Sequence, residues 1–538
     1  MPAQLSGLQN QVSEWPLVSG KAYRDPFNEL DVRVRIDGPG GALTLPAFWR
    51  GGLDYGVRFT PRVPGKYTWQ ASCDDPKNDS FKAQGGTLTV AAHEPSNALL
   101  RRGPLKVSAN RRHLEHADGT PFFWLGDTWW FGATSRLAWP EGFQKLTANR
   151  VARGFTLAQI VVGLSPEITA FDPRGANEGG TPWVEGLAHP NPAYMEMADL
   201  RIQHLVRNGI VPCIVATWGY YVLETGLEKM KRHWRELVAR YSCYPVVWCL
   251  AGEAVMPFYN SNTKEQDAVE LKKQWTEVAK YLRANDPLHH PVTIHPTVKG
   301  REQLEEAALM DLEMLQTGHG GYAAVPSTVN NATESYAKEP RMPALVAEVD
   351  YEGLMELCHA ELQRYMFFAS MLSGMAGHTY GANGIWQMNS SEKPMGKLPH
   401  GKGYPEHTWE EAAEWPGARQ VGYAKALLAR YPWWKFEPHQ DWIEPRASKQ
   451  DFFKPYCAGV PREVRVIFIP ISMDNPWTAG ASIEIRALEP DVKYRAFFFD
   501  PRTGEEIPIG PVQPDASGVW KTPDAVRRQD WVVVLERH

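Results

Sequence analysis

The rhythm of apolar and polar positions changes twice along this chain. Between residue 12 and about residue 93, short runs alternate apolar with polar side chains and are broken by Gly and Pro; residues 30–36, 55–59, 65–70 and 86–90 are the clearest. A period of two with turn residues between runs predicts half-buried strands in a small antiparallel sandwich. From about 100 to 435 the runs become continuously apolar, and stretches with helical spacing separate them. Beyond about 440 strands return without long helices, at 464–469 and 494–499, which predicts a second β-sandwich.

The middle stretch predicts eight strand-helix units. Its strands are expected at 122–125, 157–162, 210–215, 246–250, 292–295, 312–316, 344–347 and 377–380, with helices at 141–153, 193–207, 228–240, 265–284 and 358–372. Strands that lack alternation belong in a parallel sheet covered on both faces. Eight such units in about 335 residues fit a (β/α)8 (TIM) barrel with enlarged loops. A chain of 538 residues exceeds one core. The expected division is an N-terminal β-sandwich (1–97), a catalytic barrel (98–435) and a C-terminal antiparallel β-sandwich (436–538).

In such a barrel the chemistry lies where strands end. Two apolar runs end in a lone carboxylate: Val246-Val247-Trp248-Cys249-Leu250-Ala251-Gly252-Glu253 and Pro343-Ala344-Leu345-Val346-Ala347-Glu348. Paired carboxyls facing one bond are the machinery of glycosidic hydrolysis. Other strand ends bring side chains that hydrogen-bond or stack on a sugar: Asp127, Trp129, Trp218, His319, Tyr351, His378 and Tyr380, with Trp386 in the long loop after strand eight. Asp350 and Glu352 rival Glu348, while Glu167, Asp172, Glu178 and Glu185 fall in a Gly/Pro-rich loop and read as solvated. The loop 381–416 carries Trp386, Tyr404, Trp409 and Trp415 and is expected to wall the pocket.

Composition narrows the ligand. Lys and Arg number 57 against 62 Asp and Glu, so no single-sign field points to nucleic acid or an acidic membrane. Aromatics reach 11% and include 21 Trp, which suits a sugar. The six cysteines show no CxxC and read as buried thiols. A metal-dependent barrel hydrolase would want His-x-His near strand one, where the chain offers Asp127 and no histidine, so neither metal nor cofactor is expected. The N-terminal sequence has no signal-peptide pattern and no segment long enough to span a bilayer, so the expectation is a cytoplasmic protein, with export after loss of a leader as the alternative. Oligomeric state is left open.

Three segments resemble a known family. Gly126-Asp127-Thr128-Trp129-Trp130, Ala347-Glu348-Val349-Asp350-Tyr351-Glu352 and the run from Ser373 to Trp386 are similar to apiosidase-like glycoside hydrolases, barrel enzymes of plant polysaccharide breakdown. The stretch from Tyr55 to Trp69 resembles the β-sandwich that often precedes such barrels, and Asp500-Pro501-Arg502-Thr503-Gly504 the β domain that often follows. The resemblance implies that Glu253 is the general acid/base and Glu348 the nucleophile of a retaining glycosidase acting on an oligosaccharide or polysaccharide. The chain departs from related barrels in Ala251-Gly252-Glu253, where they place Asn before the acid; this leaves the sugar open. The competing reading is a non-catalytic carbohydrate-binding protein on a glycosidase fold.

Overall fold

A computed structural model describes residues 3–471 and 481–538. Eight parallel strands form its central sheet: β1 Trp124–Trp129, β2 Leu157–Val161, β3 Val211–Val215, β4 Val247–Cys249, β5 Val292–Thr293, β6 Glu313–Gln316, β7 Ala344–Glu348 and β8 Gly377–Tyr380. They are hydrogen-bonded in the order β5-β4-β3-β2-β1-β8-β7-β6. Nearly every residue in them is buried, which is why the sequence shows no alternation there. The fold is a TIM barrel with mainly antiparallel sheets at both ends of the chain, the N-terminal one including a parallel pairing of Ala3–Leu8 with Gly85–Ala91.

Seven helices cover the strands: α1 Glu141–Ala152, α2 Pro192–Arg207, α3 Leu227–Tyr241, α4 Lys264–Asn285, α5 Val325–Ala337, α6 Ala360–Met371 and α7 Pro416–Leu428. Helix α2 shows how local sequence sets such an element. The Asn191 side chain accepts the Ala193 N–H, Pro192 occupies the first turn, and Tyr194, Met195, Ala198, Ile202 and Leu205 recur on one buried face. A cap of this kind stabilises a helix by about 1 kcal/mol. Gly209, at φ +78°, ends the run by entering a conformation that a side chain would oppose.

One joint of the barrel differs from the rest. Between β5 and β6 the chain makes only short turns, Gly300–Glu302 and Ala307–Leu309, and no strand pairing joins the two among the described residues. Three hydrogen bonds close the gap instead, two of them through side chains. Asp311 accepts the Val292 N–H at 2.9 Å and returns its own N–H to the Val292 carbonyl at 2.8 Å, while the Thr293 hydroxyl donates to the Leu312 carbonyl at 3.0 Å.

The expected strand at 122–125 is corrected. Pro121–Phe122 pairs with Leu114–His116 in a small three-stranded sheet, and the barrel strand begins at Trp124 and runs on to Trp129. An unbroken apolar run carries no mark of where one strand stops and the next starts.

The N-terminal residues form a five-stranded sheet against a three-stranded one, with their own core around Trp15, Val34, Val57 and Trp69. Their contact with the barrel is ionic and buried. Arg58 reaches Asp199 of α2 at 2.6 Å, Arg240 of α3 reaches the same carboxylate at 2.8 Å and Glu236 at 2.7 Å, and Glu236 accepts the Trp49 N–H at 3.1 Å. The C-terminal residues form a six-stranded antiparallel sheet and a three-stranded one. Phe468 stacks on Phe368 of α6, and Arg364 of the same helix pairs with Asp530 at 2.6 Å.

Candidate active site

Glu253 and Glu348 share one pocket at the C-terminal ends of the strands, in a cavity of about 210 Å³. The side chain of Gln316, the last residue of β6, joins them. Its Nε2 donates to Glu253 Oε1 at 3.0 Å and to Glu348 Oε1 at 3.3 Å. The two oxygens can be no farther apart than the sum of those distances, about 6.3 Å.

Each carboxyl has its own surroundings. Glu253 Oε2 accepts the Trp218 indole N–H at 3.2 Å. Glu348 Oε1 lies 2.8 Å from His319 Nε2, and its Oε2 lies 3.3 Å from His295 Nε2, an ion-pair approach without hydrogen-bond geometry. Burial alone would raise Glu348, but the two histidines outweigh it and hold the carboxyl well below the usual carboxylate range. Burial and then the charge of Glu348 push Glu253 upward, with Gln316, His295 and Trp218 opposing in part. Two neighbouring carboxyls driven in opposite directions are the electrostatic signature of an acid beside a base. Burial would lower His319, but its bond to Glu348 together with the charges of Glu348, Asp350 and Glu253 outweighs it and lifts the imidazole above its ordinary value.

Local backbone explains how Glu253 is presented. Its φ is +41°, in the left-handed region that opposes a side chain and persists where the surroundings fix it. Gly252 before it lies under the Trp218 ring, and a Cβ there would come within 2.2 Å of Trp218 Cε3. Only glycine lets that indole settle on the strand end and turn its N–H to Glu253. On the far wall, Tyr351 receives the Trp130 indole N–H at 3.0 Å, and burial together with the Glu348 charge keeps its hydroxyl protonated.

Of the side chains expected to meet the sugar, Trp218, His319, Tyr351 and Trp386 line this pocket, and Tyr404 from the 381–416 loop joins them. Asp127, Trp129, His378 and Tyr380 do not. Asp127 accepts Arg150 Nε of α1 at 2.6 Å and the Trp129 indole N–H at 2.7 Å, and Trp129 packs edge-on against Phe143 of α1. His378 is fully buried beside Phe367 of α6, and burial drives it down to about 3; Tyr380 donates to Glu352 at 2.6 Å. All four face the helix layer. With β1 running to Trp129, alternation sends 125, 127 and 129 outward, and the pairing of His378 beside Leu125 gives β8 the same parity.

The remaining acids separate as well. Glu352 is held by Tyr380 and by the Gly417 N–H at 3.1 Å, and Asp350 accepts the Gly321 N–H at 2.8 Å. Asp172 pairs with Arg174 and Glu178 with Arg201, while Glu185 is exposed. Glu167 lies in the pocket, against the solvated-loop expectation.

Residues 108–435 match the family described as Apiosidase-like, catalytic domain. The chain belongs to the apiosidase-like family. Its family and fold are those of a glycoside hydrolase, with carbohydrate as substrate. Residues 9–74 of this apiosidase-like chain match a domain of unknown function, DUF5060. Among solved structures, one titled "Glycoside hydrolase" is 21% identical with a TM-score of 0.66, over 81% of this chain and 98% of its own. A glycoside hydrolase family 5 protein from Bacteroides vulgatus ATCC 8482 is 20% identical with a TM-score of 0.67, over 81% and 93%. A further chain from the same organism aligns over 99% of this chain and 100% of its own, at 16% identity and a TM-score of 0.68. At these identities the likeness is one of fold. No curated protein matches the sequence.

Sequence reasoning passed over Gln316, His295, Trp130 and Tyr259, all of which line or contact the apiosidase-like pocket. Gln316 ends β6 and His295 follows β5 by two residues, positions that alone set neither apart from other strand ends. Among the described residues no helix is long and apolar enough to cross a membrane, and no group of three or more His, Cys, Asp or Glu is arranged to hold a metal ion. The six cysteines are free thiols, five of them buried.

Proposed function

We propose that this protein is a retaining glycosidase of plant-type oligosaccharide or polysaccharide, with Glu348 as nucleophile and Glu253 as general acid/base. The observation that carries the reading is the single Gln316 nitrogen bonded to both carboxylates, because it brings one oxygen of each to within about 6.3 Å of the other. Inverting enzymes need about 6.5–9.5 Å to seat a water, and retaining ones hold their carboxyls about 5–5.5 Å apart.

The chemistry follows from the opposed proton affinities. Ionised Glu348 attacks the anomeric carbon while protonated Glu253 gives its proton to the leaving oxygen. A glycosyl ester forms on Glu348. Its charge is then gone, which lowers the proton affinity of Glu253 and fits that residue to take a proton from the incoming water. Water cleaves the ester, and the sugar leaves with its configuration kept. His319 and His295 stabilise the carboxylate between turnovers. Trp218, Tyr351 and Trp386 offer ring faces and polar edges to the sugar. In this reading residues 98–435 form the catalytic unit, with 1–97 and 436–538 as braces.

The test is release of sugars from pectic, arabinogalactan and xylan side-chain fragments, identified by mass, with the first-formed anomer read by NMR. E348Q should bind fragments and release nothing while remaining folded by circular dichroism. An inverted first product, or near-normal release by E348Q, would overturn the assignment.

A further inference from the structure

A third carboxyl shares the pocket and has no part in the two-step chemistry. Glu167 lies in the loop after β2 and holds its backbone at φ +61°, a conformation that a glutamate rarely adopts. Its Oε1 accepts the Tyr404 hydroxyl at 2.8 Å and the Tyr259 hydroxyl at 3.2 Å. These tyrosines come from the loops after β8 and β4, and both line the cavity with Glu253 and Glu348. Three loops therefore converge on one carboxylate oxygen. The other oxygen, Oε2, is buried with no hydrogen-bond partner.

A latch between loops would need only Oε1. A buried carboxylate oxygen left unpaired is destabilising, and such atoms call for an explanation. Resting on the reading above, we propose that Glu167 is a substrate-binding residue whose Oε2 accepts a hydroxyl of a neutral sugar in the pocket. The partner is neutral because Glu167, Glu253 and Glu348 already crowd one small cavity whose lining includes no lysine or arginine among the described residues. A uronic acid would bring one more negative charge to that wall.

Titration supports the geometry. Burial, and behind it the charges of Glu253 and Glu348, push Glu167 up to about 7 against the Tyr404 and Tyr259 hydroxyls, which pull it down. Burial first keeps both tyrosines protonated as donors, with the Glu167 charge adding to it. The groups facing Glu167 are thus Tyr404 after β8, Tyr259 and Glu253 after β4, and Glu348 at the end of β7. With Oε1 already accepting two tyrosine hydroxyls, protonation would fall on Oε2 and turn it from an acceptor into a donor. Affinity for the sugar should accordingly improve as pH rises through about 7.

The experiment measures KM and kcat separately on p-nitrophenyl glycosides of neutral pentoses and hexoses and of glucuronic acid, between about pH 6 and about pH 8. Wild-type KM on the neutral glycosides should fall about tenfold across that span, as the ionised fraction rises. In E167Q it should be at least about tenfold higher at the alkaline end and nearly flat with pH, kcat changing far less. Y404F keeps the carboxyl but removes one donor to it, so its KM midpoint should move to higher pH. That shift keeps the test valid even if E167Q folds poorly, since a purely structural latch would not move a midpoint. Wild-type KM in E167Q, an unmoved midpoint in Y404F, or glucuronide cleaved as well as the neutral series would each overturn the proposal. Turnover by E348Q would instead sink the underlying glycosidase assignment, so the two failures are distinguishable.

Discussion

At the scale of single residues, the site is a set of opposed proton affinities built from very few contacts. With His295, His319 holds the Glu348 carboxyl down, and at 2.8 Å it makes the shorter contact of the two. H319A should therefore raise the proton affinity of Glu348. In the proposed mechanism the acid limb of kcat/KM requires Glu348 ionised and should move to higher pH, while the alkaline limb requires Glu253 protonated and should move less. A pH–rate profile that kept its acid limb would refute that role. Glu253 and Glu348 were legible in the sequence because a lone carboxylate closing an apolar run is conspicuous. Gln316 and His295 were not, since a neutral amide or an imidazole at the end of a two- to four-residue strand looks like any strand end. Glu167 was hidden by company: Asp172 and Glu178 of the same loop are spent on Arg174 and Arg201, and nothing local in the sequence marks Glu167 apart.

At the scale of elements, strand parity decided which expected residues reach the pocket. Seven barrel strands were legible from the sequence and β1 only in part, but full burial erased the alternation that would have told inward from outward. Asp127 shows the consequence. It was expected in the pocket, yet it sits between β1 and α1 as the partner of Arg150, with both side chains about 1% exposed. D127N should leave that guanidinium buried beside a neutral amide and destabilise the fold by about 3–5 kcal/mol, with KM of the folded enzyme unchanged. A urea midpoint equal to wild type, or a raised KM at wild-type stability, would return Asp127 to the substrate. The proline and asparagine that open α2 were readable from sequence alone, since caps act within a few residues; packing partners such as Phe143 against Trp129 are not local and were out of reach.

At the scale of the whole molecule, the flanking sheets are fastened to the barrel by different means. The N-terminal sandwich is held through Arg58, Asp199, Arg240 and Glu236, and the C-terminal sheet through aromatic stacking and the Arg364–Asp530 pair. R58M removes one cation from Asp199 and should cost about 3–5 kcal/mol, shifting one cooperative thermal transition downward. A separate early transition with the barrel unmoved would mean that the sandwich melts alone. The switch from period-two strands to continuous apolar runs made this three-part order readable, whereas the ionic fastening joins residues more than 140 positions apart and left no trace in the pattern. The joint between β5 and β6 has its own bearing on motion. A cylinder hooped by backbone ladders at seven seams and pinned by Asp311 and Thr293 at the eighth should breathe there first, admitting deuterium to the Val292 and Asp311 amides ahead of those in β1, β2 and β3. Mass-resolved exchange would map that gap, and equal protection around the ring would show that the pins are as strong as a ladder.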